Sequence, residues 1–330
     1  MLKNPALAAL TRFAAQSPGL IPDQGRIGIA FSGGADSTAL LWAARELWGA
    51  ERICALHVNH RLQASADAFA HHCAQTCRDI GLAYAEAVLQ VTVAPGASVE
   101  EVAREARYRA LAELAQAHHC ALVLLAQHGD DQVETVLLAL LRGAGPRGLA
   151  GMPAKMERHG CTFARPLLEC ASAELRDWLR ACDVGFLDDP MNANPAFRRS
   201  RIRHELVPVL ARIEPAYRRT LSRSAALCAA ADRQIQERAS NHLRDCLWPE
   251  GLHLATLRAL GEASAGEVLR LWLRHNGQRL DRARTDELVR QIMRTERGAH
   301  RLELRLPTCV LRRQGAFLRF ERGDGGQPRA

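Results

Sequence analysis

The stretch RIGIAFSGGADSTALLWAARELW, residues 26–48, decides the fold. Small and apolar residues up to Phe31 predict a strand, Ser32 to Ser37 a tight loop, and TALLWAARELW a helix. Glycines let such a loop turn and bring backbone N–H groups toward an anion. The helix N-terminus adds positive potential, and two serine hydroxyls add donors. Ser32, Gly33, Gly34, Ala35, Asp36 and Ser37 therefore form a candidate phosphate cradle. Asp36 is its odd member: a carboxylate beside a phosphate is repelled unless a cation lies between them, which makes Asp36 a candidate Mg²⁺ ligand. The plain alternative is a Gly-rich strand-to-helix turn with an ordinary helix cap.

Working outward, ICALHVNH at 53–60 predicts a second strand, followed by a helix over 66–79 and a strand over 82–89. A longer helix runs from Ser98, its expected N-cap with Glu101 at the capping-box position, to about His118. CALVLLAQ, from Cys120, is a continuous apolar run and reads as a buried strand leading to a helix over 130–141. Strands alternating with helices imply a Rossmann-like α/β fold, a parallel sheet with helices on both faces and ligands at the carboxyl ends of the strands. One such end carries a second constellation, Gln127 to Thr135, in which Asp130 or Asp131 caps the helix and Asp131 and Glu134 point to one side. A capped, solvated acidic turn is the plain reading; proximity to the Gly-rich loop favours a site.

Residues 143–153 read as a Gly/Pro-rich loop, and a helix is expected over 172–182. Turn formers at 188–195 mark a linker. Helical periodicity follows at 200–211, 215–246, 264–275 and about 284–294, and the alternation from His300 to Glu321 reads as a short hairpin. The expected organisation is an α/β domain over 1–190, an Arg-rich linker and helix over 191–214, and a mainly helical domain with a C-terminal hairpin over 215–330.

Composition narrows the function. At 330 residues, 48% hydrophobic and 24% charged, the chain has room for about two globular domains; 24 glycines and 14 prolines exclude collagen-like or largely disordered chains. The ten cysteines include no C-x-x-C pair, and Cys73 and Cys77 supply only half a metal site, so the thiols read as small buried hydrophobes in a reducing cytosol. Charge interrupts every apolar run before the roughly 18 residues of a membrane span, and the N-terminus lacks a signal pattern, so a cytoplasmic protein without a membrane partner is expected. Residues 1–190 hold 17 basic against 21 acidic residues and 191–330 hold 27 against 15, so the net +8 comes wholly from the second part. That block suggests a polyanionic partner. Lys3 and Lys155 are the only lysines, so any phosphate site must rely on backbone amides, arginines and metal.

The hexapeptide Ser32–Ser37 resembles the SGGxDS signature of the ATP pyrophosphatase (PP-loop) family, and Ala126 to Met152 closely resembles its tRNA(Ile)-lysidine synthetase branch. His57-Val58-Asn59-His60 with Leu62 is similar to H-V-x-H-G-L, with Arg61 in place of the usual glycine. Ala106-Arg107-Tyr108 matches A-R-Y, and Arg165-Pro166-Leu167-Leu168 matches R-P-L-L. Asp189-Pro190-Met191-Asn192 resembles D-x-S-N with Met191 replacing a small hydroxyl residue, and Arg199 to Arg203 resembles R-N-x-[IL]-R with Ser200 in place of asparagine. Ser224 to Cys228 is also similar, and the chain resembles a short form without the last C-terminal module.

The resemblance implies a ligase that adenylates the C2 oxygen of the wobble cytidine in a CAU-anticodon isoleucine tRNA, using ATP and releasing pyrophosphate. The ε-amine of free L-lysine then displaces AMP, and the lysidine formed changes codon reading from AUG to AUA. It implies that Ser32 to Ser37 hold the pyrophosphate and Asp36 the Mg²⁺, that His128 and Arg107 sit near the adenylate, and that Asp131 and Glu134 bind the lysine ammonium. Arg199, Arg201 and Arg203 would contact tRNA or the reacting nucleotide. The resemblance also implies that 1–190 is the ATP-binding catalytic domain and 215–330 the tRNA-binding domain, and a homodimer is compatible with it. The alternatives are a PP-loop tRNA thiolase and a non-catalytic tRNA-binding factor.

Overall fold

The computed structural model describes residues 4–61, 66–89, 99–188, 197–278, 280, 282–294, 302–306 and 309–322. By contact the chain divides into two compact units, Met1–Ala229 and Ala230–Ala330. The first begins with α1 (Pro5–Gln16), whose N-cap Asn4 accepts from the amides of Ala6 and Leu7 at 3.0 and 3.2 Å, with Pro5 in the first turn where its missing N–H costs nothing. The deciding stretch then forms β1 (Arg26–Ala30) and α2 (Ala35–Trp48). β2 (Ile53–Asn59), α3 (Ala66–Asp79), β3 (Ala83–Val88), α4 (Val99–Ala117), β4 (Cys120–Leu124) and α5 (Gly129–Leu141) continue the alternation.

The sheet has the order β3-β2-β1-β4-β6-β5. Its strands are parallel except for β5 (Lys155–Arg158), which runs antiparallel to β6 (Cys161–Ala164) at the edge. The period of two along each strand divides the core between the two faces. Ile27, Ile29, Ile53, Ala55, Leu122 and Leu124 pack with α1, α2 and α7 (Ser172–Ala181). Cys54, Leu56, Val123 and Phe163 pack with Tyr108, Leu111 and Ala115 of α4.

Besides α1, two features of this unit have no counterpart in the sequence reading. The turn of the β5–β6 hairpin places His159 at φ 50° and Gly160 at φ 71°, the paired left-handed conformation of a two-residue hairpin loop. The Gly/Pro-rich segment contains a helical turn, α6 (Pro146–Leu149). Ser98 and the Asp189–Asn192 element lie outside the described residues.

From Arg198 to Ile213 the Arg-rich segment is helical: α8 (Arg198–Arg201), a π-turn over Ile202–Leu206 and α9 (Val207–Ile213). Pro208 has no N–H for the carbonyl four residues back, so a wider turn before it suits the local chemistry. Ile202 and Tyr217 pack on Val133 and Leu137 of α5, which ties this segment to the sheet unit. The division between units falls inside α10 (Tyr217–Cys246), further along the chain than the composition break near residue 190.

In the second unit α11 (Leu254–Ala259), α12 (Gly261–His275) and α13 (Arg282–Arg294) share a core with an antiparallel sheet of order β7-β8-β11-β10-β9. Its strands are β7 (Leu247–Trp248), β8 (Gly251–His253), β9 (Glu303–Leu306), β10 (Cys309–Gln314) and β11 (Phe317–Arg322). The expected C-terminal hairpin is thus part of a five-stranded sheet. β7 and β8 are too short to show a period of two, which hides them in the sequence.

Candidate active site

The site is built at the carboxyl ends of β1 and β4, neighbours in the sheet. After β1 the chain turns at Gly33, φ 80°, a conformation that costs glycine nothing; a Cβ there would lie 3.1 Å from Cys73 Sγ of α3. The loop is tied from within. Ser37 Oγ accepts from the Ser32 amide at 3.2 Å, lies 3.0 Å from Ser32 Oγ and donates to the Gly34 carbonyl at 3.0 Å, while the Leu187 amide donates to the Gly33 carbonyl at 2.9 Å. Gly34, the N-cap of α2, offers no side-chain acceptor. The amides of Ala35, Asp36 and Ser37 precede the first intrahelical bond, Thr38 N to Gly34 O at 3.0 Å, and face outward from the helix end as anion donors.

The α5 end is closed. His128 is its N-cap, which corrects the expectation of Asp130 or Asp131: the Asp131 amide lies 3.4 Å from His128 Nδ1, and Asp131 Oδ2 accepts from the His128 amide at 3.2 Å. Gly129 is required by close approach, since its amide donates to the Cys170 carbonyl at 2.8 Å and a Cβ would lie 2.8 Å from that oxygen. His128 Nε2 is 3.5 Å from Asp36 Oδ2 and 3.4 Å from Asp131 Oδ2, so this buried ring joins the two strand ends.

Burial opposes a charge on His128, but the hydrogen bond it donates to Asp36 and the charges of Asp131, Asp36 and Asp130 outweigh it and push its pKa up to about 9. The Nδ1 cap contact belongs to the neutral ring. With carboxylates on several sides the imidazolium is favoured, and the 3.4 Å contact is the weaker of the competing interactions. For Asp36, burial favours the neutral acid, yet the bond to His128 and its charge, the Ser172 hydroxyl at 2.8 Å and the Arg176 charge together hold its pKa below the ordinary value.

The remaining acids are already partnered. Asp130 accepts from the Ser172 amide at 2.9 Å and from Arg218. Glu134, 1% exposed, accepts from Arg203 Nε at 2.6 Å on one oxygen and from Arg199 Nε at 2.7 Å and the Arg203 guanidinium at 3.1 Å on the other. Both oxygens of Glu134, the residue expected beside a lysine ammonium, are thus held by arginines. Asp131 Oδ1 has only the longer contacts of 3.7 and 3.9 Å to Arg199 and Arg203.

Of the three expected arginines, Arg199 and Arg203 share a face and enter the site. Arg201, on the opposite face, is exposed and pairs with Glu205 at 3.2 Å. Arg107 lies by His60, whose pKa is pushed down to about 4 by burial, then by the charges of Arg107 and His57. Arg61 adopts φ 48°, the conformation that explains a usual glycine there, and its amide donates to Asn59 Oδ1 at 3.1 Å. Two short motifs meet in the core, where buried Arg165 donates to the Tyr108 hydroxyl at 2.9 Å, Gln127 Oε1 at 3.0 Å and the Pro153 carbonyl at 2.7 Å. Sequence reasoning missed Ser172 and Arg218, since no local spacing links either to residues 128–134.

A single carboxylate at an anion-binding helix end suits Mg²⁺, which takes one or two protein carboxylates and completes its shell with substrate phosphates and water. Among the described residues no group of three or more His, Cys, Asp or Glu side chains is arranged to hold a metal by itself. No helix among the described residues is long and apolar enough to cross a membrane.

A phosphate-cradling loop after the first strand, on a parallel sheet with a carboxylate in the cradle, defines an ATP-using PP-loop enzyme, and the family model for the PP-loop domain matches residues 6–210. The model for the TilS substrate binding domain matches residues 252–318. The chain is 41% identical over 317 residues to a tRNA(Ile)-lysidine synthase of Polaromonas naphthalenivorans, covering 96% of this chain and 94% of that one. It is 38% identical to one of Burkholderia pseudomallei, covering 94% of this chain and 64% of that one. A Pseudomonas aeruginosa relative is 42% identical, with 74% and 58% covered. The chain belongs to the tRNA(Ile)-lysidine synthase family; it spans nearly all of the first relative and less than two thirds of the other two. Among solved structures, the U34-tRNA thiolase NcsA from Methanococcus maripaludis with its [4Fe-4S] cluster shares the fold, with a TM-score of 0.54 at 14% identity over 67% of this chain and 76% of that one.

Proposed function

We propose that this chain forms lysidine at the wobble cytidine of a CAU-anticodon isoleucine tRNA from ATP and free L-lysine, in the cytoplasm where these meet. ATP-dependent lysidine formation is the activity of the family to which it belongs. The observation that carries the assignment of roles is the Asp36–His128–Asp131 contact, which joins the phosphate loop to the second strand end.

In the first half-reaction the cytosine C2 oxygen attacks the α-phosphorus of ATP, the bond from that phosphorus to the bridging oxygen breaks, and pyrophosphate leaves. The open amides of α2, that of Ser37 among them, and the Ser32 hydroxyl hold the pyrophosphate, while the Ser37 hydroxyl, donating to the Gly34 carbonyl, fixes the loop. Mg²⁺, held by Asp36, would supply the positive charge that lets a carboxylate sit beside phosphates. His128, kept protonated by its carboxylates, stabilises negative charge near the adenylate, and Arg107 contributes from beside His60 at the end of β2.

In the second half-reaction the lysine ε-amine, once deprotonated, attacks C2, and AMP departs with the former C2 oxygen. Asp131 Oδ1 receives the ammonium and its proton. Glu134 is a positioning residue that fixes Arg199 and Arg203, while exposed Arg201 is available to RNA phosphate. The test is pyrophosphate release with tRNA present and lysine omitted. It should proceed once per bound tRNA and leave an adenylated tRNA; release that requires lysine from the start would exclude this order of steps.

A further inference from the structure

The solvent face of the second unit's sheet carries a side-chain set that the reaction leaves unused. Cross-strand pairing puts Trp248 opposite Gly251 and His253 opposite Phe317, on the face away from buried Leu252 and Leu318. The three rings form one cluster: Trp248 to His253 is 5.1 Å between centroids, His253 to Phe317 5.4 Å, and Trp248 to Phe317 6.0 Å. Trp248 is 50% exposed. Because Gly251 has no side chain, nothing on that strand covers the indole from its opposite position.

Arg319, two residues beyond Phe317 on β11, shares this face and is exposed, with its Cγ 3.5 Å from where a Gly251 Cβ would stand. The other arginines of the face are paired, Arg305 with Glu303 at 2.9 Å and Arg312 with Glu303 and Glu321 at 3.3 and 3.0 Å. No described carboxylate forms an ion pair with Arg319. An exposed indole backed by two half-buried rings, beside an uncommitted guanidinium, matches a flat π-system attached to an anion. Residues 230–330 carry 19 basic against 13 acidic residues, and every basic one is arginine, the side chain that both stacks and grips phosphate.

We propose that Trp248, His253, Phe317 and Arg319 form a stacking site for an unpaired nucleobase of the tRNA substrate, the rings taking the base and Arg319 its phosphate. The inference rests on the proposed reaction for the identity of the RNA, and on this sheet face alone for the site.

The test uses the full chain and a CAU-anticodon isoleucine tRNA transcript. Trp248→Ala should raise the tRNA dissociation constant roughly 5- to 100-fold, and Trp248→Phe should recover most of the loss. Arg319→Ala should lower the slope of log K against log salt by about 0.7. Unchanged tRNA affinity in Trp248→Ala overturns the site, as does self-association of the wild type that Trp248→Ala abolishes, which would give the face to a second copy. Should Trp248→Ala lose its fold by circular dichroism, the Arg319→Ala slope decides, and an unchanged slope overturns the proposal. Lysidine formation by the wild type separates the two readings. If lysidine forms while Trp248→Ala binds normally, only the stacking site fails; if none forms while affinity still depends on Trp248, only the proposed reaction fails.

Discussion

The N-termini of α2 and α5 begin at adjacent strand ends and carry the same positive potential, yet they are finished in opposite ways. Gly34 leaves the α2 end without a side-chain cap. The α5 end is capped by His128 and crowded by Asp130, Asp131 and Glu134, each held by an arginine, a histidine or a backbone amide. The difference teaches a division of labour: the first end is left open for a substrate anion, and the second is pre-wired to hold charge in fixed places. Asp36 is the group that belongs to both.

The most disruptive change on this view is Asp36→Asn, which keeps a hydrogen-bond acceptor for Ser172 but removes the charge between the two ends. Adenylation should fall by at least about a thousandfold while tRNA affinity stays within about twofold. Wild-type pyrophosphate release by this variant would reduce Asp36 to a helix-end residue.

Glu134→Gln should be felt first in stability. It leaves Arg199 and Arg203 facing a neutral amide at a buried position, a loss of about 2 kcal/mol after allowance for the partly exposed guanidinium groups. Urea unfolding measures it, and the half-reactions measured separately should show lysine transfer impaired more than adenylation. Equal loss in both would remove the link between these arginines and the amine step.

A third outcome concerns His60 at the end of β2. Its pKa in the folded chain, about 4, lies below the 6.5 of an unfolded histidine, so the unfolded chain binds the extra proton. The stability that neutral His60 allows, on the order of 2 kcal/mol after discounting for its partial exposure, is present above about pH 6.5 and is lost as pH falls toward 4. His60→Gln should flatten that part of the stability profile; an unchanged profile would mean that other groups set it. The smallest effect is expected for Arg201→Ala, whose exposed pair with Glu205 is screened by water and should leave the urea midpoint where it is. A clear drop in that midpoint would show that Arg201 supports the fold and is not held free for RNA.

The sheet and the open helix end were legible because both are local. The alternation of strand and helix, and the hexapeptide Ser32–Ser37, depend on neighbours in the chain, and β1, α2, β2, α3, β3, α4, β4 and α5 lie where the periodicities predict them. The closed end was only half legible. The acids of α5 announce a charged helix start, but their partners Arg199, Arg203, Arg218 and Ser172 come from 42 to 88 residues away, and only folding decides which cation meets which carboxylate. Spacing did separate Arg201 from its neighbours in principle, since residues two apart on a helix face opposite ways. The small sheet was legible only as its C-terminal hairpin, because β7 and β8, strands of two and three residues, carry no readable alternation.

Incubating the wild-type chain with ATP, Mg²⁺, labelled L-lysine and a CAU-anticodon isoleucine tRNA, followed by nucleoside analysis, tests the account most directly. The account predicts label in a modified cytidine at the wobble position, with one AMP and one pyrophosphate per lysine incorporated. ATP consumption that leaves the wobble cytidine unmodified would contradict it.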